Sequence, residues 1–188
     1  MVLLKQMQKK LSKAQKRRTE TQMDKILRQR GERQRLTIQT ERTLLFIKPG
    51  GIMRGLMGEI ISRIEQKGLT IKAMKLLKLN KAEAERFYEV HRGKPFFNDL
   101  VEHVTSGPIL AMVVEGPQAI QVVRSLIGKT SSFEAEPGTI RGDFGISITK
   151  NVVHASDSME NAEKEISFFF KKTEILRFEK PTEKKFTF

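Results

Sequence analysis

Short β-branched and apolar runs alternate, along residues 41–170, with stretches whose apolar positions recur every three or four residues. Glycine and proline cut the chain between them. Thr43-Leu44-Leu45-Phe46-Ile47-Lys48 stops at Pro49-Gly50-Gly51, which reads as a buried strand followed by a turn. Ile60, Ile61 and Ile64 then share one stripe of a helix from Leu56 to Lys67, with Gly68 as its terminator. Residues 69–79 partly alternate and predict a half-exposed second strand. Asn80 with Glu83 three residues on is a helix-start signature, and that helix carries Phe87, Tyr88 and His91 before Gly93-Lys94-Pro95. A further helix runs from Phe96 to Val104. Ile109 to Val114 is a continuous apolar strand, and a helix from Pro117 to Ile127 ends at Gly128. Residues 129–142 read as a long loop. Phe144, Ile146 and Ile148 alternate with Gly145, Ser147 and Thr149, predicting the fourth strand, and Asp157 and Glu160 open a last helix that buries Ala162, Ile166, Phe169 and Phe170.

This order predicts an α+β domain on the ferredoxin-like βαββαβ plan, a four-stranded antiparallel sheet with helices on one face. The expected organisation is a basic, partly helical extension at residues 1–40, the domain at 41–170, and a basic tail at 171–188. The charge supports this division. Residues 1–40 hold 12 Lys and Arg against 3 Asp and Glu, whereas residues 41–170 hold 17 against 16. A net charge of +13 therefore sits mainly on the ends, the pattern of a polyanion-binding arm on a neutral body. The chain has no cysteine, which excludes disulfides, thiolate metal sites and a cysteine nucleophile. No apolar run approaches the roughly 20 residues of a membrane span. A cytoplasmic protein is expected, with organelle targeting by the arm as an alternative.

Three histidines are available for chemistry: His91, His103 and His154. The first two fall on predicted surface helices and read as solvated or hydrogen-bonded residues. His154 falls between a predicted strand end and a helix start, at the rim of a sheet, where reacting groups meet ligand. Glu165 borders the buried stripe of the last helix, where a carboxylate against a ring N–H would fix the tautomer and free the other nitrogen. Lys48 ends the first strand, Arg124 and Arg141 flank the long loop, and Thr130 lies within it. Phosphoryl transfer needs such positive charge around the migrating group.

Asn151 to Ser158, reading Asn-Val-Val-His-Ala-Ser-Asp-Ser, resembles the active-site signature of the nucleoside diphosphate kinases. The likeness continues through Glu41-Arg42-Thr43, Lys48-Pro49, Arg54-Gly55-Leu56, Gly93-Lys94-Pro95-Phe96-Phe97, Ser106-Gly107-Pro108 and Pro137 to Phe144, and spans residues 41 to about 170. It implies ping-pong transfer of a γ-phosphoryl group between nucleotides, with His154 as the nucleophile through Nδ1. It also implies that Glu165 holds the other ring nitrogen and that Ser156 bonds near that carboxylate. Lys48, Arg124, Thr130, Arg141 and Asn151 would contact phosphates and sugar, with Tyr88 supporting the Lys48 region. Phe96 would stack on the base, with Ile148 and Leu100 lining its slot. Asp157 would lie near a magnesium ion held mainly by the nucleotide phosphates. The family further implies a homo-oligomer, a tetramer or hexamer.

Three residues depart from the family pattern. Gly50 stands where Asp is usual, Val90 replaces a usual acidic residue, and Ser132 replaces the usual proline of the long loop. The first two remove negative charge near Lys48, and the third loosens the loop. The resemblance covers neither end of the chain. For residues 1–40 a solubilising tail, binding to RNA or a ribonucleoprotein, and a targeting peptide remain open. A scaffold working through this arm with little activity is the competing functional reading. Phe178, Phe186 and Phe188 read as apolar anchors for a neighbouring subunit or as a frayed end.

Overall fold

The computed structural model describes residues 40–178. Expectations for residues 1–39, Phe186 and Phe188 lie outside the described residues. The elements are β1 (Thr40–Ile47), α1 (Pro49–Met53), α2 (Met57–Gln66), β2 (Thr70–Leu77), α3 (Lys81–Phe87), α4 (Phe97–Thr105), β3 (Ile109–Pro117), α5 (Ala119–Ile127), α6 (Ile140–Phe144), β4 (Val153–Ala155) and α7 (Met159–Phe169). Short 3-10 turns occupy Glu89–His91 and Lys172–Glu174.

The four strands form one sheet in the order β2-β3-β1-β4, and each neighbouring pair is antiparallel. β1 and β2 both run against β3, so they are parallel to each other, with α1 and α2 in the crossover between them. β3 and β4 bear the same relation through β1. This is the ferredoxin-like α+β plan that the element order predicts.

β1 and β3 read as continuous apolar runs because both of their faces are covered. On one face, Leu45 and Ile47 with Leu110, Met112 and Val114 meet Ile60 and Ile64 of α2 and Val123 and Ile127 of α5. These two are the crossover helices. On the other face, Leu44, Phe46, Ala111 and Val113 meet Val101 and Val104 of α4 and Ile166 and Phe169 of α7. The helices outside the two βαβ units thus close the second face, so helices cover both faces and not the one face expected, as the uninterrupted apolar runs of β1 and β3 require.

α3 begins at the predicted capping box. The Asn80 side chain accepts from Glu83 N, and the Glu83 carboxylate accepts from Asn80 N, each at 2.9 Å. The fourth strand is not where alternation places it. Residues 140–144 are helical, Ile146 and Ile148 are exposed, and β4 is only three residues long. Alternation marks a strand only when one side of it finds a core, and here neither isoleucine does. Beyond α7 the chain returns to β2. Leu176 N donates to Lys72 O at 3.0 Å, and the Lys72 ammonium lies 4.3 Å over the Phe178 ring. Among the described residues no helix is long and apolar enough to cross a membrane.

Candidate active site

His154 occupies the middle of β4 rather than a strand-to-helix junction. In register it faces Phe46 of β1. Val153 and Ala155 on either side enter the α2/α5 face of the core, so the period of two turns the imidazole to the opposite face. There the ring stacks on Phe46, centroids 4.8 Å apart and planes 22° from parallel, and meets the edge of Phe87 at 5.3 Å. Sequence reading places both phenylalanines in their strand and helix but not against His154. The Phe46 position, opposite in parity to Leu45 and Ile47, was the available signal.

Glu165 lies in the second turn of α7, whose start is capped by the Ser158 hydroxyl accepting from Asn161 N at 3.2 Å. Its Oε2 lies 3.0 Å from His154 Nε2 and accepts from the Ser156 hydroxyl at 2.6 Å. One carboxylate oxygen thus gathers the histidine and the serine. With Nε2–H donating to it, the free lone pair of the ring is on Nδ1.

A second network converges at Lys48, which caps α1 just past β1. Its ammonium donates to Asn151 Oδ1 at 2.6 Å. The Asn151 amide in turn donates to the carbonyls of Thr130 and Ile148, at 3.0 and 2.9 Å. Lys48, Asn151, Thr130 and Ile148 are therefore tied together by one asparagine. Lys48 is 4% exposed, and burial, with the positive charge of Arg141 added, holds its pKa down to about 7.

Arg141 belongs to α6, where the sequence predicts the end of the long loop. Thr139 caps that helix by accepting from Gly142 N at 3.1 Å, and Asp143 ties it to Gly138 N and to Arg63. The guanidinium donates to the carbonyls of Gly128 at 2.9 Å and Val153 at 3.0 Å, while its Nε is buried without a partner among the described residues. Burial and then the charge of Arg124 lower its pKa to about 10. Gly128 is irreplaceable here. Its φ is 81°, and a Cβ would lie 2.4 Å from Thr139 Oγ1. Arg124 itself is exposed on α5.

Tyr88 ends α3 almost fully buried. Its hydroxyl has no partner among the described residues, and no bond joins it to Lys48 there. Burial, with Glu165 nearby, raises its pKa, so it stays a neutral donor. Phe96 is 44% exposed at the head of α4, one turn before Leu100, and Lys94 sits 5.7 Å over its ring. Asp157 is exposed, and its hydrogen bond from Asn161 at 2.7 Å is the main cause of a lowered pKa.

The backbone before His154 is strained. Val152 has φ of 69°, a region that β-branched residues avoid, and Val153 N donates to Asn151 O at 2.8 Å across it. This tight reversal lets Asn151 reach Lys48 while His154 two residues later joins the sheet. His103 departs from its reading as a solvated residue. Its Nε2 is buried and has no partner among the described residues. His91 is half-buried, with Lys94 Nζ 3.1 Å from its Nδ1.

The family model described as nucleoside diphosphate kinase matches residues 41–175. The chain is similar to the nucleoside diphosphate kinase of Staphylothermus marinus, 61% identical over 139 residues that cover 74% of this chain and 99% of that one. The corresponding protein of Ignicoccus hospitalis is 60% identical, covering 72% and 92%. Among solved structures, the Halobacterium salinarum nucleoside diphosphate kinase in complex with CDP superimposes with a TM-score of 0.75 at 40% identity, covering 78% of this chain and 97% of that one. The Aquifex aeolicus enzyme gives 0.72 at 46% identity, covering 73% and 100%. With the fold and the histidine site in agreement, the chain belongs to the nucleoside diphosphate kinase family.

Proposed function

We propose that this protein is a nucleoside diphosphate kinase that moves the γ-phosphoryl group of a nucleoside triphosphate to a nucleoside diphosphate through phosphorylated His154. The observation that carries this reading is the 3.0 Å pair of His154 Nε2 and Glu165, which leaves Nδ1 as the free nucleophile. The Nδ1 lone pair attacks the γ-phosphorus in line, the bond to the β,γ-bridging oxygen breaks, and the diphosphate departs. The phosphorylated ring still carries its Nε2 proton and is cationic, so the Glu165 carboxylate offsets charge as it develops. Ser156 holds that carboxylate in place. A second diphosphate attacks the phosphohistidine from the same position and regenerates the free ring.

Lys48, Arg124, Arg141, Thr130 and Asn151 bind and orient the phosphates and sugar in this reading. The two guanidinium–carbonyl bonds of Arg141 keep that charge preorganised. The Tyr88 hydroxyl supplies a neutral donor. Phe96 stacks on the base, with Leu100 and Ile148 at its sides, and a stacking contact accepts any base because every base has an aromatic face.

A magnesium ion carried by the nucleotide phosphates, with Asp157 nearby, would supply neutralisation of phosphate charge when bound. Among the described residues no three His, Asp or Glu side chains gather into a metal cage. A single ionised carboxylate, Asp157, fits a metal whose other ligands are phosphate and water.

Self-association is part of this proposal. β2 is an edge strand of the sheet, only partly covered by the segment after α7, and exposes Met74 and Leu76. The basic residues 1–40 are proposed to bind RNA or another polyanion, a contact whose affinity falls with salt.

The test is labelling with γ-labelled ATP. Acid-labile, alkali-stable label is expected on the intact protein and absent from His154→Gln. An unlabelled wild-type protein would sink the enzyme reading and favour a scaffold acting through the arm.

A further inference from the structure

Arg141 rides on α6, a helix of only five residues. A helix that short does not hold its shape alone, because nucleation costs more than one turn returns. Its placement must come from outside. Ile140 is fully buried and fixes the first residue in the core. The turn before the helix and its last residues are fixed by a different device, the guanidinium of Arg63 on α2.

Arg63 Nη1 donates to Asp143 Oδ2 at 2.6 Å and to the Gly138 carbonyl at 3.2 Å. The same guanidinium lies 4.6 Å over the Phe144 ring. Asp143 Oδ1 accepts from Gly138 N at 2.8 Å, so both carboxylate oxygens are engaged and the segment from Gly138 to Asp143 is closed on itself. Glu59, one turn earlier on α2, accepts from Arg63 Nε at 2.9 Å and aims the fork. α2 is a firm base, since Ile60 and Ile64 on either side of this pair are fully buried. Just past α1, Arg54 donates to the Phe144 carbonyl at 2.6 Å and holds the end of α6 from another direction. An exposed ion pair contributes little. This one is different in kind: the side chains of Arg63 and Asp143 are 20% and 27% exposed, and one planar fork gathers a carboxylate, a carbonyl and a ring.

Arg141 lies inside the closed segment, between Gly138 and Asp143. Its guanidinium reaches the carbonyls of Gly128 and Val153, and a shift of α6 would draw it away from both. A reacting or charge-stabilising group displaced by about 1 Å loses on the order of 10²-fold in rate.

We propose that Arg63 is a positioning residue for phosphoryl transfer, fixing α6 through Gly138, Asp143 and Phe144 and thereby aiming Arg141. This rests on the reading of Arg141 as a phosphate contact. Arg63 itself touches none of the proposed phosphate, sugar or base contacts among its printed partners, so its effect passes through α6.

A double-mutant cycle on the full-length protein tests this, read by the single-turnover rate of His154 labelling. Arg63→Gln is expected to slow labelling about tenfold or more. Arg63→Lys keeps a charge toward Asp143 without the fork and is expected to recover part of the loss. In an Arg141→Ala background, adding Arg63→Gln is expected to cost less than about twofold further, because both act through one group. Hydrogen exchange read by mass spectrometry gives an arm independent of activity. In Arg63→Gln, exchange is expected to quicken over residues 138–145 and to stay unchanged in β1 and β3. Losses that multiply in the cycle would overturn the proposal, as would an undiminished rate in Arg63→Gln. Unchanged exchange over 138–145, or an equal rise throughout the domain, overturns it whatever the label does. An unlabelled wild-type protein whose α6 still loosens in Arg63→Gln keeps the positioning of Arg141 and sinks the transfer reading instead.

Discussion

Lys48 holds its ammonium 2.6 Å from the side-chain oxygen of Asn151, an amide rather than a carboxylate. No negative partner offsets its burial among the described residues, and the neighbouring charge of Arg141 adds to the penalty, leaving a pKa of about 7. Gly50, where the family usually has Asp, is consistent with that lack. Between about 7 and the ordinary value of 10.5 the folded protein carries Lys48 neutral while the unfolded chain carries it charged. The unfolded state then binds more protons, so this residue makes folding more favourable as pH rises through that window. Triphosphate binding has the opposite sign, because it requires the ammonium. Affinity for a non-hydrolysable triphosphate is expected to fall above pH 7, by up to about tenfold per pH unit. Binding isotherms from pH 6 to 9 check this, and the slope is expected to flatten in Lys48→Met.

Glu165 and Ser156 act on the reaction through the His154 ring. Glu165→Gln keeps the shape but removes the charge that offsets the phosphorylated imidazole. A fall in kcat of about 10²-fold is expected, the scale of a misplaced or unsupported reacting group. Ser156→Ala removes one hydrogen bond to the same oxygen and is expected to cost less. Single-turnover labelling of His154 separates these effects from nucleotide binding, which both variants are expected to retain.

Phe46 is fully buried and forms the floor on which His154 stacks. Phe46→Ala is expected to destabilise the fold by about 3–5 kcal/mol, as for other large-to-small core changes. Phe46→Leu fills most of the space, so it is expected to keep the fold and lose transfer rate as the ring gains freedom. Urea denaturation beside kcat measures the two effects separately.

The strain at Val152 is measurable by comparing two truncations. Val152→Ala and Val152→Gly both give up the buried side chain, but only glycine tolerates φ of 69° without penalty. Val152→Gly is expected to be the more stable of the two by about 1 kcal/mol. Equal stabilities in thermal or urea unfolding would show that the reversal stores no strain.

Much of this architecture was legible along the chain. The runs at 43–48 and 109–114 are apolar without interruption because helices cover both sides of the central strands. Asn80 and Glu83 announced the start of α3. The false fourth strand arose because Phe144, Ile146 and Ile148 alternate while two of them face solvent. The true β4 is too short to show a period, and it follows a backbone reversal at a valine, which no propensity would suggest. The residues around His154 were found through a linear signature and its family resemblance. The contacts of Phe46 and Phe87 with the ring were missed because they cross the sheet and link separate elements.

Local chemistry sufficed to set the strand and helix pattern, the near-neutral body with basic ends, and the candidate nucleophile, because periodicity, charge and motif are properties of neighbouring residues. Only the tertiary structure decided the 3.0 Å at which Glu165 of α7 meets His154 of β4, that Asn151 ties Lys48 to Thr130, and that His103 Nε2 is buried without a partner among the described residues. Those outcomes depend on burial and on distances between segments far apart in sequence, and neither exists until the chain has folded.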